Sequence, residues 1–517
     1  MSIGSALQTG LRLLVDRPAD VLPVYLLGIG LTATVRVPLI VAIGAAIALL
    51  VSDGRLETLV TELESFLETT DLDPTAIEST PESIPPGLET AVVDVFSPAV
   101  IGLLGGGVII ALVVGVVASG LSNAVALHGV YGALVGDDGI RAALDGLADD
   151  WLSFVGLSIL QTLLTLLGLV PVVIGLGLFA LSPAAGGVAT AVGVLLGAGL
   201  IIVSSLLLAF AGQSIVVDGV GLAGGVRRSA RLPISRPWTV VGYVVVAITV
   251  FVVLSILGSL FSLLGISQLS GIVGPLLLLP FLTIFKFGLY ADRSFPILAT
   301  ATETGTATDA PATDRPTRPH RTRFITAFRD GLVALGGFLR RAPLSVLFAT
   351  AIFAAAAIVS YQVTAGFGAE IPTPAEPSMV FGSFPVDTFV MLAVNNWLVS
   401  ATATFGGLAL GVSTGVDMLL NGGLVGALYG VTDRTAFLAL VAPHGIIELP
   451  AIFVAGGLGF HIAAVVLGVL TGGATVSTLA ETLRLAYRVL LGLAVVLVVA
   501  ALIEAFLTPA IAAAVLG

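Results

Sequence analysis

The sequence predicts an all-α fold, a polytopic transmembrane helical bundle, and three observations predict it. The chain is 57% hydrophobic and only 10% charged, whereas a soluble domain carries roughly 25% charged residues. Its mean hydropathy is +1.11. Apolar runs recur along all 517 residues, each of about twenty residues, enough to cross a hydrocarbon core about 30 Å thick. No polar helix faces are left over to clothe a large water-soluble core.

Spans are expected at about 20–51, 97–120, 151–181, 188–217, 238–264 and 270–290, then at 343–363, 388–408, 412–431, 436–471 and 489–511. That gives eleven spans, within a range of ten to twelve. Lys and Arg concentrate in cytoplasmic loops, and a cytoplasmic amino end puts 17 of the 20 arginines inside, only Arg55 and Arg434 falling outside and Arg36 within a span. A multi-pass protein of the cell (plasma) membrane is the expectation.

Between Ser52 and Ser97 lie eleven carboxylates and one arginine, with prolines at 74, 81, 85 and 86. This acidic outer loop reads as a short surface helix followed by a solvated stretch. Residues 299–323, rich in Thr, Ala, Pro and Arg, read as a flexible cytoplasmic linker that holds His320. It separates a six-span half, 1–298, from a second half, 324–517. Each half opens with an amphipathic stretch ending at Arg and Pro, Ala6–Pro18 and Ala327–Pro343, suited to the membrane interface. "RAALDGLADDW" and "GGVRRSARLPISRPW" repeat the device, so surface helices are expected before the third and fifth spans.

No cysteine is present, which excludes disulfides and thiolate metal sites. The amino end, Met1 to Pro18, has no small-residue cleavage site after a short apolar core, so no cleaved signal peptide is expected. Lys286 is the single lysine and the net charge is −11, a composition that fits a GC-rich genome or a salty, archaeal-like cytoplasm without separating the two. Nucleic acid is excluded as a partner, since it needs a clustered basic face. The expected partners are the lipid bilayer and other proteins, and no cofactor is implied.

Polar residues inside the spans mark the candidate site. Arg36, followed by Pro38, is read as structural. Asn395 and Asn396 precede two glycine series, Gly407, Gly411, Gly415 and Gly422, Gly426, Gly430, with Asn421 between them. Spacing by four places small residues on one helix face, where helices approach closely. Residues 388–431 fit either a tight hairpin or one tilted helix. In "LVAPHGIIELPAIFVAGGLGFH", His444 and Glu448 stand four apart and share a face, and Glu504 and Thr508 repeat that spacing in the last span. At about 1.5 Å of rise per residue, Asn395, His444 and Glu504 lie roughly 10–12 Å deep in one layer, provided that 388–431 crosses twice.

The paired asparagines, Asn421 with Gly422, Pro443 to Ala451 ("PHGIIELPA") and Ile503 to Pro509 ("IEAFLTP") occur in the order found in the stage II sporulation protein M family of integral membrane proteins, which the chain resembles from Ala327 to Gly517. The resemblance implies a membrane scaffold for a complex that, in endospore-forming bacteria, contains peptidoglycan-degrading partners. It carries over no catalytic residue. A non-enzymatic scaffold or assembly component is therefore expected, ahead of a transporter or permease component. An intramembrane hydrolase using His444, Glu448 and Glu504 ranks third, because "HGIIE" lacks the second histidine of a zincin helix. No catalytic, cofactor or metal residue is assigned, and the polar residues are expected to form a satisfied hydrogen-bond network. The glycine faces suit contacts within one chain or between copies, so a homo-oligomer is compatible.

Overall fold

The computed structural model describes residues 3–69, 85–291, 320–365 and 385–516, and among these every regular element is helical. The amino-terminal half runs α1 (Ile3–Asp16), α2 (Pro18–Ala33), α3 (Arg36–Ser52), α4 (Arg55–Thr69), α5 (Pro86–Val95), α6 (Pro98–Val135), α7 (Gly139–Gly177), α8 (Pro183–Leu208), α9 (Ala211–Asp218), α10 (Leu222–Ser235), α11 (Pro237–Leu263), α12 (Ser270–Val273) and α13 (Leu279–Ala291). The second half runs α14 (His320–Arg341), α15 (Pro343–Ala365), α16 (Val386–Phe405), α17 (Val412–Val431), α18 (Arg434–Leu470), α19 (Val476–Leu502) and α20 (Thr508–Leu516). Proline opens α2, α5, α6, α8, α11 and α15, the position where its missing N–H costs nothing.

Ten stretches among the described residues are long and apolar enough to cross a membrane, within the expected range. Their outward faces are apolar: Leu195 is 75% exposed, Leu263 86% and Phe251 69%. Monomeric soluble proteins do not expose apolar surface on this scale, so the chain is a multi-pass membrane protein. The eleventh expected span, α17, is a helix of 20 residues, about 30 Å long, whose Ser413, Thr414, Asp417 and Asn421 lower its hydropathy.

Two compact units form, Met1–Thr32 with Val116–Gly517, and Ala33–Gly115. In the smaller, Ala46 and Leu50 of α3 pack on Val100, and α4 and α5 occupy the acidic stretch, whose residues 70–84 lie outside the described ones. Arg55 donates to the carbonyl of Asp94 at 2.9 Å and to the Asp53 carboxylate at 2.8 Å, which holds that exposed carboxyl below its usual range. Arg36 lies within the candidate span Pro18–Ser52, as expected, where it opens α3 after a turn at Thr34 and Val35.

In the larger unit both halves share one core: Val24, Leu26, Leu27 and Ile140 cluster with Phe338, Phe405, Leu458 and Leu490. Asp138 caps α7 by accepting from the N–H groups of Ile140 and Arg141 at 3.1 Å, and its other oxygen pairs with Arg484 of α19. Arg323 of α14 donates to the carbonyl of Asp16 at 2.6 Å. The expected linker falls outside the described residues except for 320–323, which form the first turn of α14. One expected surface helix is absent as a separate element. Asp138 starts a helix that runs 39 residues without a break, because no proline intervenes before Pro171, whereas α1 and α10 end at Pro18 and Pro237 and stand alone.

The segment 386–431 is a hairpin. Positions 422, 426 and 430 of α17 meet Phe353, Ala357 and Thr364 of α15 in rising order, so these two helices run parallel. Gly456 and Gly457 of α18 meet Ala349 and Val346, so α18 runs opposite to both. Thr404 of α16 donates to the carbonyl of Ala455 and Gly407 abuts Gly459, which makes α16 parallel to α18 and antiparallel to α17. The turn uses Leu410 at φ 55° and Gly411 at φ 77°.

That turn corrects the first glycine series. Gly407 lies in a 3₁₀ turn, Gly411 supplies a left-handed backbone, and a methyl group at Gly415 would meet nothing within 4 Å. The three share no helix face, because the chain reverses between them. Only Gly407 makes a close helix contact of the expected kind, its Cβ position falling 2.1 Å from the carbonyl oxygen of Gly459. The second series does form a packing face.

Candidate functional site

Helix α18 carries His444 and Glu448 one turn apart, and its antiparallel neighbour α19 continues into a widened turn, Ile503–Leu507, that carries Glu504. The widening has a local cause. Proline at 509 has no N–H to donate, and its ring would press on the carbonyl four residues back. The helix responds with a π turn, in which the N–H of Thr508 reaches the carbonyl of Ile503, five residues back. The same arrangement occurs at Gly274–Leu278, where Leu279 donates to Gly274 and Pro280 follows.

The π turn brings Glu504 to His444: Nε2 and Oε1 stand 3.7 Å apart, with side chains only 12% and 17% exposed. One ligand atom from each of His444, Glu448 and Glu504 falls within 4.8 Å of the others. His444 Nδ1, Glu448 Oε2 and Glu504 Oε2 are buried with no hydrogen-bond partner among the described residues. The expected satisfied network is therefore not what these three side chains form. A histidine nitrogen and two carboxylate oxygens in this arrangement can hold a cation or share protons.

The other expected members divide. Asn396 lies on α16, which is joined to α18 by the Thr404 hydroxyl bonded to the carbonyl of Ala455. Asn396 is buried and its Oδ1 accepts from Asn395 Nδ2 at 3.4 Å. Asn421 and Thr508 are not drawn into the cluster. Asn421 donates to the carbonyl of Asp417 in its own helix at 2.8 Å. The Thr508 hydroxyl donates to the carbonyl of Ile503 at 3.2 Å, closing the π turn.

Sequence reasoning passed over Lys286. Its Nζ lies 5.7 Å from the ring centre of Phe210 and 5.5 Å from that of Tyr243. With Gln161, Thr165, Ser204, Ser205 and Tyr243 it lines a pocket of about 230 Å³ among α7, α8, α11 and α13. Being the single lysine of the chain, and lying in a span, was the one available signal. The polar partners that make the pocket come from helices distant in sequence.

The bundle and its buried polar groups define a polytopic helical membrane protein. Residues 344–509 match the family profile for stage II sporulation protein M. An uncharacterized protein of Methanocaldococcus jannaschii is 30% identical over 129 residues, which are 24% of this chain and 72% of that protein. Through this carboxy-terminal half the chain belongs to the stage II sporulation protein M family. No solved structure matches it.

Proposed function

We propose that the protein is a non-enzymatic assembly component of a complex in the plasma membrane, with its amino terminus in the cytoplasm. The observation that carries this reading is backbone-to-backbone packing of the family-matched half. A methyl group at Gly422 or Gly426 would sit 2.2 Å or 2.0 Å from a carbonyl oxygen of α15, and one at Gly459 2.2 Å from that of Ala403. Helices held this closely, on a core shared with the amino-terminal half, make a rigid platform, since packed cores are not continuously deformable. Affinity capture of the full chain from its native membranes tests the reading. Stoichiometric recovery of other membrane or surface proteins is expected, and a chain that purifies alone and supports solute flux in vesicles overturns it.

A transporter component is the second reading, favoured by the helices distorted by π turns at 274–278 and 503–507 and by the Lys286 pocket, because irregular helices line transport sites. Orientation rests on the arginine distribution. With no cysteine in the chain, Thr435→Cys is expected to react with an impermeant thiol reagent from outside intact cells and Ser477→Cys only after lysis. The reverse pattern inverts the topology.

A further inference from the structure

We propose that His444, Glu448 and Glu504 form a binding site for one divalent first-row transition cation of the zinc class. The inference stands apart from partner recruitment and adds a ligand that the scaffold reading does not require.

The donor set comes from two helices and is nearly closed. His444 and Glu448 share one face of α18, and the π turn at Ile503–Leu507 presents Glu504 to them. Ligand atoms around a tetrahedral ion with bonds of about 2.1 Å are about 3.4 Å apart. The triad, with its atoms within 4.8 Å of one another and one pair at 3.7 Å, needs a contraction of at most about 1.4 Å, which side-chain torsions supply.

Charge and hydrogen bonding point the same way. Two carboxylates this close, away from bulk water, do not both hold charge without compensation. A divalent cation leaves the cluster neutral and offers a partner to the carboxylate oxygens Glu448 Oε2 and Glu504 Oε2, which have no hydrogen-bond partner among the described residues, with His444 Nε2, the nitrogen that faces Glu504, as the imidazole ligand. One imidazole with two carboxylates favours zinc-like ions over magnesium or calcium, which prefer all-oxygen shells. Three protein ligands leave a coordination position open for water or a partner's side chain.

The test uses the tag-free full chain in detergent, stripped with a chelator and dialysed against Zn(II), with Co(II) absorption reporting the coordination shell. Wild type is expected to retain one Zn(II) per chain. His444→Ala, Glu448→Gln and Glu504→Gln should each weaken binding by more than the roughly 10–100-fold that loss of an outer-shell partner costs. His461 lies on the same helix and packs on Phe338 at 5.9 Å, so His461→Gln should bind as wild type does. The metal-free melting temperature of each variant separates lost binding from lost folding. Wild type holding no more Zn(II) than the Glu448→Gln, Glu504→Gln double variant overturns the proposal and leaves the scaffold reading untouched; a failed capture experiment leaves the metal site untouched.

Discussion

Gly426→Leu is expected to lower the stability of the purified protein by about 3 kcal/mol or more, the upper end of the range for overpacked cores. The Cβ position at 426 lies 2.0 Å from the carbonyl oxygen of Ala357 and 2.6 Å from its Cα. Both are backbone atoms of α15, so no side chain can swing aside, and the two helices must separate along a face that Gly422 and Gly430 also hold. Gly415→Leu on the same helix is the control. A side chain there enters open space, and its effect should stay within about 0.5 kcal/mol, as for surface substitutions. Thermal unfolding in detergent reads both. Equal melting temperatures for the two variants would mean that α15 and α17 are not in backbone contact.

The two glycines show what the sequence discloses and what it withholds. Spacing by four selects a helix face only while the helix continues. Gly422, Gly426 and Gly430 satisfy that condition and pack as expected. Between Gly407 and Gly415 the chain reverses, and the reversal uses a left-handed Leu410, a residue type that gives no turn signal. The hairpin was legible as one of two options, from length alone. The third member of the polar triad was half legible: the i, i+4 relation placed Glu504 beside Thr508, but Pro509 imposes a π turn that aims Glu504 at His444 and leaves Thr508 bonded to Ile503. Periodicity assumes an unbroken α-helix, so it misplaces side chains wherever proline changes the turn. The Lys286 pocket was not legible, since no local pattern specifies which of four distant helices meet.

That pocket yields the second large expectation: Lys286→Met should stabilise the protein, by about 1–3 kcal/mol. An ammonium withdrawn from water costs several kcal/mol even after relaxation. Two desolvated ring contacts return about 2 kcal/mol or more each at best, and rings 5.5 and 5.7 Å from Nζ are near the outer limit of such contacts. No carboxylate pairs with Lys286 among the described residues, so the balance is unfavourable, and methionine, unbranched and of similar length, fills the same path between Phe210 and Tyr243 without the charge. Gln161, Thr165, Ser204 and Ser205 complete the polar lining of the pocket and bring no counter-charge to the ammonium. A melting temperature for Lys286→Met in detergent above that of wild type supports this balance. A melting temperature below it would show that the rings and hydroxyls already compensate the charge, and Lys286 would then be a packing residue.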